Sequence, residues 1–495
     1  KPEPFVSYRL PKLWTKDPFS ASVATFCFPD MEDFPKSEMQ NESFSFVLTE
    51  SDGDRRFGYC LRRLQQGNGP RMPVAYVVLS YLPCFSLYTR ILERVAYHYE
   101  NSSGVILTRF LESVIQNPFP APGETCHVQI TDTNSGSRVG GRTNPREQEK
   151  LTWKFTRPDS DSEFENVDIA AMVQVLEPSN IIRIVLSLLV ERRVIFCAKK
   201  ITTLSAVVQA IMALLYPLSW QHIYIPILPA SLLSYCCAPM PFVVGVLASS
   251  IDEVLKLPMD AVTVVMLDEN KFLQVSTEDM DDDLDLMPAR FLATLTKQLK
   301  LTAKAAKKCS KKSMATKRLG EVAQAITARK VQELVLQKIL LDFYFELLKP
   351  VYLLHHIAKE GSRPSLDDAV TLAPPDLRPL MKLLVTSQLM EMFVQKHIVN
   401  QEPGHNDAFQ KKMQDWLRKE HPTQQQLEEA AQGPRHSTNA QVKALMDKAR
   451  AQAAPKRSSA MMSPSRRRTM LDTPNLKPPP SLPAREPRSR SATHR

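Results

Sequence analysis

Between Lys200 and Asp252 the chain carries no Asp, Glu, Lys or Arg. A stretch of this length without formal charge has two destinations, a bilayer or a protein core. A membrane-spanning helix needs about 20 consecutive, mainly apolar residues. Pro217, Pro226, Pro229, Pro239 and Pro241 break every long window, and Gln209, Gln221 and His222 add polar groups. Proline inside a helix removes a hydrogen bond and clashes with the turn before it. The stretch therefore reads as the buried core of an α/β domain.

The surrounding pattern supports that reading. Over 151–290, helical and strand signals alternate. Asp168 is placed to cap a helix through Leu176, and Ser179 to cap one running to Leu189. A short apolar strand is expected over 193–198. Thr202 or Thr203 opens a helical stretch to Tyr216, which Pro217 ends. Further strands are expected at 223–228, 242–247 and 262–267, with Pro226 placing the first near its end or at a sheet edge. Such alternation favours a mostly parallel, doubly wound sheet with helices on both faces.

Upstream, strand signals at 44–48, 57–61 and 74–79 are separated by the turn residues of 51–54 and 65–73. Phe85, Tyr88, Leu92 and Val95 then recur at helical spacing. A second helix over 105–115 stops at Asn117-Pro118. Three meandering strands followed by helices fit a longin-like or profilin-like lobe over 20–130. The polar, glycine-bearing 131–150 reads as a linker. Downstream, 278–285 holds six carboxylates and reads as an exposed loop. From Lys297 to Lys330 eleven residues are basic and only Glu321 is acidic; its alanines favour helix. Helices are expected over 331–357 and 377–399, giving a helical part at 330–400. Beyond 424 the chain is rich in Gln, Ser, Pro and Arg and reads as a disordered basic tail.

Charge distribution argues against a nucleic-acid partner. Residues 433–495 carry 14 Lys or Arg and 3 Asp or Glu, so the whole of the +10 net charge resides there and the remainder sums to −1. The eight cysteines form no C-x-x-C pair and sit in apolar segments. That fits free core thiols in a reducing compartment, so a cytoplasmic setting is expected. The chain opens on Lys1-Pro2 without methionine, as a piece of a longer protein would, and no signal-peptide pattern opens it.

Tests for chemistry-bearing motifs come out negative. No glycine is followed by lysine, so there is no phosphate-binding P-loop. The G-x-S-x-G and H-E-x-x-H patterns are absent. A calcium loop beginning at Asp281 would have Leu286 at its glycine position and Leu292 at its glutamate position. His222 reads as a hydrogen-bonded structural histidine and Cys236-Cys237 as packing thiols. Arg192-Arg193 read first as a solvated helix end. No catalytic residue, metal or cofactor is expected, which points to a protein that works by binding.

Several segments together resemble the DENN-domain family, and its second class most. They are Phe44-Ser-Phe-Val-Leu-Thr49, Arg55-Arg-Phe-Gly-Tyr-Cys60, Leu79-Ser-Tyr-Leu-Pro-Cys-Phe85 and Asn117-Pro-Phe-Pro-Ala-Pro-Gly123, followed by Glu191-Arg-Arg-Val-Ile-Phe196 and Leu204-Ser205. The most specific run is Leu214-Leu-Tyr-Pro-Leu-Ser-Trp-Gln-His222 with Ile225-Pro-Ile-Leu-Pro229 and Cys237-Ala-Pro-Met-Pro-Phe-Val-Val-Gly245. Leu384-Val-Thr-Ser-Gln-Leu-Met-Glu-Met-Phe393 is similar to the family's downstream module.

The resemblance implies a longin-like N-terminal lobe, a doubly wound α/β central lobe and a helical downstream part. It also implies GDP-for-GTP exchange on Rab-family small GTPases, with the switch regions gripped between two lobes, on endosomal or Golgi-derived membranes. In open α/β sheets ligands sit beyond the carboxyl ends of the strands. The GTPase-binding candidates are therefore Lys199, Lys200, Thr202, Thr203, Ser249, Ser250 and Asp252, with the helix of Tyr88 on the first lobe. For each, an ordinary loop or core role stands beside the functional one.

Three other readings stand beside exchange. One is a non-catalytic scaffold that binds or tethers a Rab. Another is a GTPase-activating role carried by Arg192 or Arg193. The third is an anionic membrane surface bound through the basic segments. Ser463-Pro464 and Thr473-Pro474 are candidate phosphorylation sites in the tail.

Overall fold

The computed structural model describes residues 3–11, 20–31, 41–50, 53–65, 72–101, 104–121, 123–131, 150–157, 167–274, 281–315, 319–357, 366–399 and 408–420. The chain divides into Lys1–Gln432 and Gly433–Arg495. The second unit, with the tail and its Ser-Pro and Thr-Pro pairs, lies outside the described residues.

After helix α1 (Ser20–Cys27), strands β1 (Glu42–Thr49), β2 (Arg55–Leu64) and β3 (Pro73–Ser80) form an antiparallel meander. Gly53 takes the left-handed φ of 93° that the β1–β2 turn needs. Side chains alternate across the sheet. Tyr59, Leu61 and Tyr76 meet Leu87, Ile91, Leu92 and Val95 of α2 (Phe85–Asn101) in one core. Phe44, Phe46 and Cys60 face the other way and join the core of the central lobe. Phe46 pairs across the sheet with Gly58, where a Cβ would overlap its ring.

Helix α3 (Gly104–Gln116) and the hairpin β4 (Thr125–Thr131) and β5 (Lys150–Thr156) complete this lobe. Residues 132–149, most of the expected linker, lie outside the described residues. Its two ends are the paired ends of the hairpin, Thr131 opposite Lys150. Trp153 and Phe155 of β5 pack with α2 and α3, so 150–156 associates with the first lobe and not with the central sheet.

The central lobe begins with α4 (Ile169–Val175) and α5 (Pro178–Leu189), followed by β6 (Arg193–Ala198), α6 (Ile201–Ala213), β7 (Ile223–Ile225), β8 (Phe242–Leu247), α7 (Ile251–Val254), β9 (Val262–Met266) and β10 (Lys271–Gln274). The sheet order is β10-β9-β6-β8-β7. Strands β6 to β9 are parallel, and β10 adds an antiparallel edge. Both faces are buried. Val194, Phe196, Val243 and Val265 face the large core, while Ile195, Val244, Val246 and Val264 face a second one. The latter is covered by the 3-10 segment Ala230–Cys237 and α7. Gly245 admits the Pro226 carbonyl against β8, at the place a Cβ would occupy.

The helical part comprises α8 (Ala289–Ala315), α9 (Leu319–Ile357), α10 (Leu366–Leu372), α11 (Arg378–Leu384), α12 (Gln388–Val394) and α13 (Ala408–Glu420). Phe343, Tyr344, Leu347, Leu380, Met390 and Phe409 tie it to the same large core.

Several expectations change. The uncharged stretch is buried core as read, and no single described helix is long and apolar enough to cross a membrane. Asp168 caps α4 by accepting from Ala171 N at 3.2 Å, as its position implied. Ser179 does not cap α5. Pro178 takes the first helical position, where its fixed φ and missing N–H cost nothing, and Glu177 becomes the cap. Strand β7 is shorter than 223–228 because Pro226 has no N–H to extend it, and it lies at the sheet edge. The basic 297–330 is not one helix but parts of α8 and α9. The acidic run is not simply an exposed loop: Asp281–Leu286 is a 3-10 turn, and Asp283 is only 1% exposed.

Candidate functional site

Parallel pairing brings the sequence candidates together. Ala198 is opposite Leu247 in the β6–β8 register, and Cys197 is opposite Met266 in the β6–β9 register. The chain leaves β6, β8 and β9 on the same edge of the sheet. Lys199, Lys200, Ser249, Ser250, Asp252 and Asp268 therefore share that carboxyl edge.

Lys199 and Lys200 are exposed, as are Ser249 and Asp252; Ser250, Thr202 and Thr203 are half-buried. The Lys199 backbone N donates to Asp268 Oδ2 at 2.7 Å, which fixes the turn out of β6. Asp268 carried no motif in the sequence; only the register reveals it. Lys200 caps α6 with extended backbone and no side-chain bond. The first-turn N–H groups of α6 therefore open on this edge, next to two lysines. The edge can offer cations, carboxylates, hydroxyls and backbone donors, a polar surface of mixed sign.

One turn further along, α6 is fastened to the first lobe. Ser205 Oγ accepts from Ser45 N at 3.0 Å and donates to Ser45 O at 3.1 Å. Gln209 Nε2 donates to Ser205 Oγ at 2.9 Å and also to Ser45 Oγ. Arg55 of β2 donates to the His222 carbonyl at 2.8 Å and lies over the Tyr224 ring. The edge thus stands beside a hydrogen-bonded junction between the lobes. Leu204-Ser205 was legible as a family segment, but the bond partner Ser45 was not.

Tyr88 is placed differently. Its ring stacks on Tyr59 at 4.6 Å and its hydroxyl meets Ser80 Oγ at 2.8 Å. Burial pushes its phenol pKa up. It is a half-buried packing residue of the first lobe. The exposed side of α2 carries Arg90, Glu93, Arg94 and Tyr97 instead.

Arg192 and Arg193 lie at the opposite, amino end of β6. Arg192 is not a solvated helix end: its guanidinium donates to both Asp283 carboxylate oxygens, at 2.9 and 2.6 Å, and Ser187 Oγ donates to the same carboxylate at 2.7 Å. The preceding Glu191 takes a left-handed φ of 55°. Its carboxylate accepts from Leu389 N at 2.8 Å and meets His222 Nε2 at 3.2 Å. This end of the sheet anchors the helical part, and the His222 ring packs edge-on against Trp220 beside the Glu191 carboxylate. Among the described residues, no group of three or more His, Cys, Asp or Glu could hold a metal ion.

Comparison with known proteins gives two family models. The uDENN domain matches residues 4–63 and the DENN (AEX-3) domain matches residues 71–270. Mouse DENN domain-containing protein 2B is 41% identical over 304 residues, which cover 60% of this chain and 25% of that protein. Human DENN domain-containing protein 2C is 40% identical over 274 residues, covering 55% of this chain and 28% of the relative. Human DENN domain-containing protein 2D is 36% identical over 297 residues, covering 58% and 59%. The chain therefore spans about a quarter of the first two relatives and somewhat over half of the third.

Proposed function

The chain belongs to the DENN-domain family, and on that premise we propose that it is a guanine-nucleotide exchange factor for a Rab-family small GTPase. DENN-domain proteins generally act on Rab GTPases as exchange factors. The observation that carries the reading here is the shared carboxyl edge. It gathers Lys199, Lys200, Thr202, Thr203, Ser249, Ser250 and Asp252 beside the junction held by Ser45, Ser205 and Gln209.

The mechanism needs no acid, base or metal from this chain. The longin-like first lobe and the central lobe grip the switch regions. GTPase switch loops are ordered by nucleotide phosphate and Mg²⁺. A surface that binds the nucleotide-free GTPase more tightly than the GDP-bound form weakens GDP binding by the same factor, because linkage is reciprocal. Lys199 and Lys200 meet acidic groups of the switch surface and Asp252 meets basic ones, and these complementary signs fix the docking register. Incoming GTP then displaces the factor. The setting is the cytoplasmic face of endosomal or Golgi-derived membranes, in membrane trafficking.

The test is release of fluorescent GDP from a panel of Rab GTPases by the full chain. One Rab or a small group should be accelerated. The double substitution Lys199→Glu/Lys200→Glu should lower that acceleration about tenfold or more, because both side chains are exposed and their loss leaves the core intact. A Rab that binds without faster release would replace exchange with a tethering scaffold.

A further inference from the structure

Helix α8 (Ala289–Ala315) contains no Asp or Glu. Lys297, Lys300, Lys304, Lys307, Lys308 and Lys311 are all exposed. Their three- and four-residue spacings place them on one side of the helix. Leu295, Leu299, Thr302, Ala306 and Cys309 are buried and define the opposite side. At 1.5 Å per residue the stripe runs about 21 Å. Among the described residues, none of these lysines is ion-paired with a carboxylate.

A solvated face is the ordinary explanation of surface lysines. Such a face commonly mixes signs, because like charges three and four residues apart repel each other while Glu–Lys pairs stabilise the helix. This face keeps the repulsion along its whole length. An external anionic surface would relieve it.

The composition of the face selects the anion. It has lysine and no arginine, so it offers a diffuse field of point charges and not the planar fork that reads phosphate or carboxylate geometry. No aromatic ring stands in the stripe to stack on a nucleobase, and protein hot spots favour Trp, Tyr and Arg. Leu301 is exposed beside the lysines. Helix α9 packs along α8 and exposes Val331, Leu334 and Val335 with Lys330 and Lys338 among them. Aliphatic side chains interspersed with lysine suit a lipid interface.

We propose that the lysine face of α8 docks on an anionic lipid leaflet. This reading stands independently of nucleotide exchange. The basic tail is a separate source of positive charge, so the test must separate the two.

The full chain is sedimented with phosphatidylcholine vesicles, with and without phosphatidylserine. Binding should require phosphatidylserine and weaken as salt shortens the Debye length. The combined substitution Lys300→Glu, Lys304→Glu, Lys307→Glu and Lys311→Glu should lower vesicle partition about tenfold or more. Arginine at the same four positions should preserve it, since a diffuse field reads charge and not shape. An unchanged thermal melt confirms that the glutamate variant is folded. Wild-type chain that ignores phosphatidylserine overturns the proposal. Undiminished sedimentation of the glutamate variant assigns binding to the tail and also overturns it. In a parallel gel shift with single-stranded RNA, loss of RNA binding by the glutamate variant with vesicle binding intact would assign the face to nucleic acid and overturn the proposal.

Discussion

A single buried carboxylate decides what Arg192 does. Asp283 is 1% exposed and its oxygens are taken by Arg192 and Ser187. Arg192 is itself one-third exposed, and without it Asp283 keeps only the Ser187 hydroxyl, a loss that costs about 1–3 kcal/mol. Arg192→Ala should therefore lower stability by about 2 kcal/mol in chemical denaturation, while leaving any GTP hydrolysis by a bound GTPase unchanged. An arginine presented in trans would show the reverse pattern. The sequence showed Arg192 and the acidic run as separate charges, and their burial depends on a contact 91 residues long. Six of the eight thiols were more legible, because apolar neighbours announced their burial; Cys126 and Cys237 are only half-buried. Burial pushes Cys197 up to about 11 and Cys236 up to about 12. Both should resist thiol reagents in the native chain at neutral pH and react on unfolding. Their folded pKa values lie above the unfolded value near 9, so the unfolded chain releases these protons first as pH rises. Their contribution to stability is complete below about pH 9 and is lost as pH rises through the folded values.

Elements that carry a local period were legible; those defined by a distant partner were not. The strands of the meander, α2, α4, β6 and β8 all followed from spacing, turn residues or caps. Strand β5 did not, because its pairing with β4 is interrupted by the polar 132–149. Nor did β10, a short exposed edge whose register comes from β9. The β5 hairpin has a consequence for pH. Its Trp153 ring meets His98 of α2 at 4.9 Å, and His98 also touches Phe110 of α3. Burial, with Arg94 adding repulsion, holds the His98 pKa below its ordinary value. The native histidine is therefore neutral where the unfolded one takes a proton, and stability is lost as pH falls below about 6.5. Unfolding followed at Trp153 should shift to lower temperature between about pH 7.5 and about pH 5.5. His98→Phe should reduce that shift. An equal shift in the variant would place the titrating group elsewhere.

At the scale of the whole described fold, the two lobes and the helical part are not independent bodies. One core runs from Phe26, Phe44 and Phe46 through α5 and α6 to Phe343, Met390 and Phe409. The carboxyl edge was legible because strand ends in parallel sheets are predictable from order alone. The junction beside it was not, since nothing local marks Ser45 as the partner of Ser205. That junction makes the coupling testable. In Ser205→Ala the buried Ser45 N–H loses its acceptor, which costs about 1–3 kcal/mol. Trp153 reports on the first lobe and Trp220 on the central core. With fluorotryptophan NMR, both resonances should lose native intensity at one denaturant midpoint, and Ser205→Ala should move the two midpoints together. If Trp153 kept its midpoint while Trp220 shifted, the lobes would be separable bodies. A surface built across their junction could then no longer be preorganised, and the proposed grip on a GTPase would require the lobes to assemble on binding.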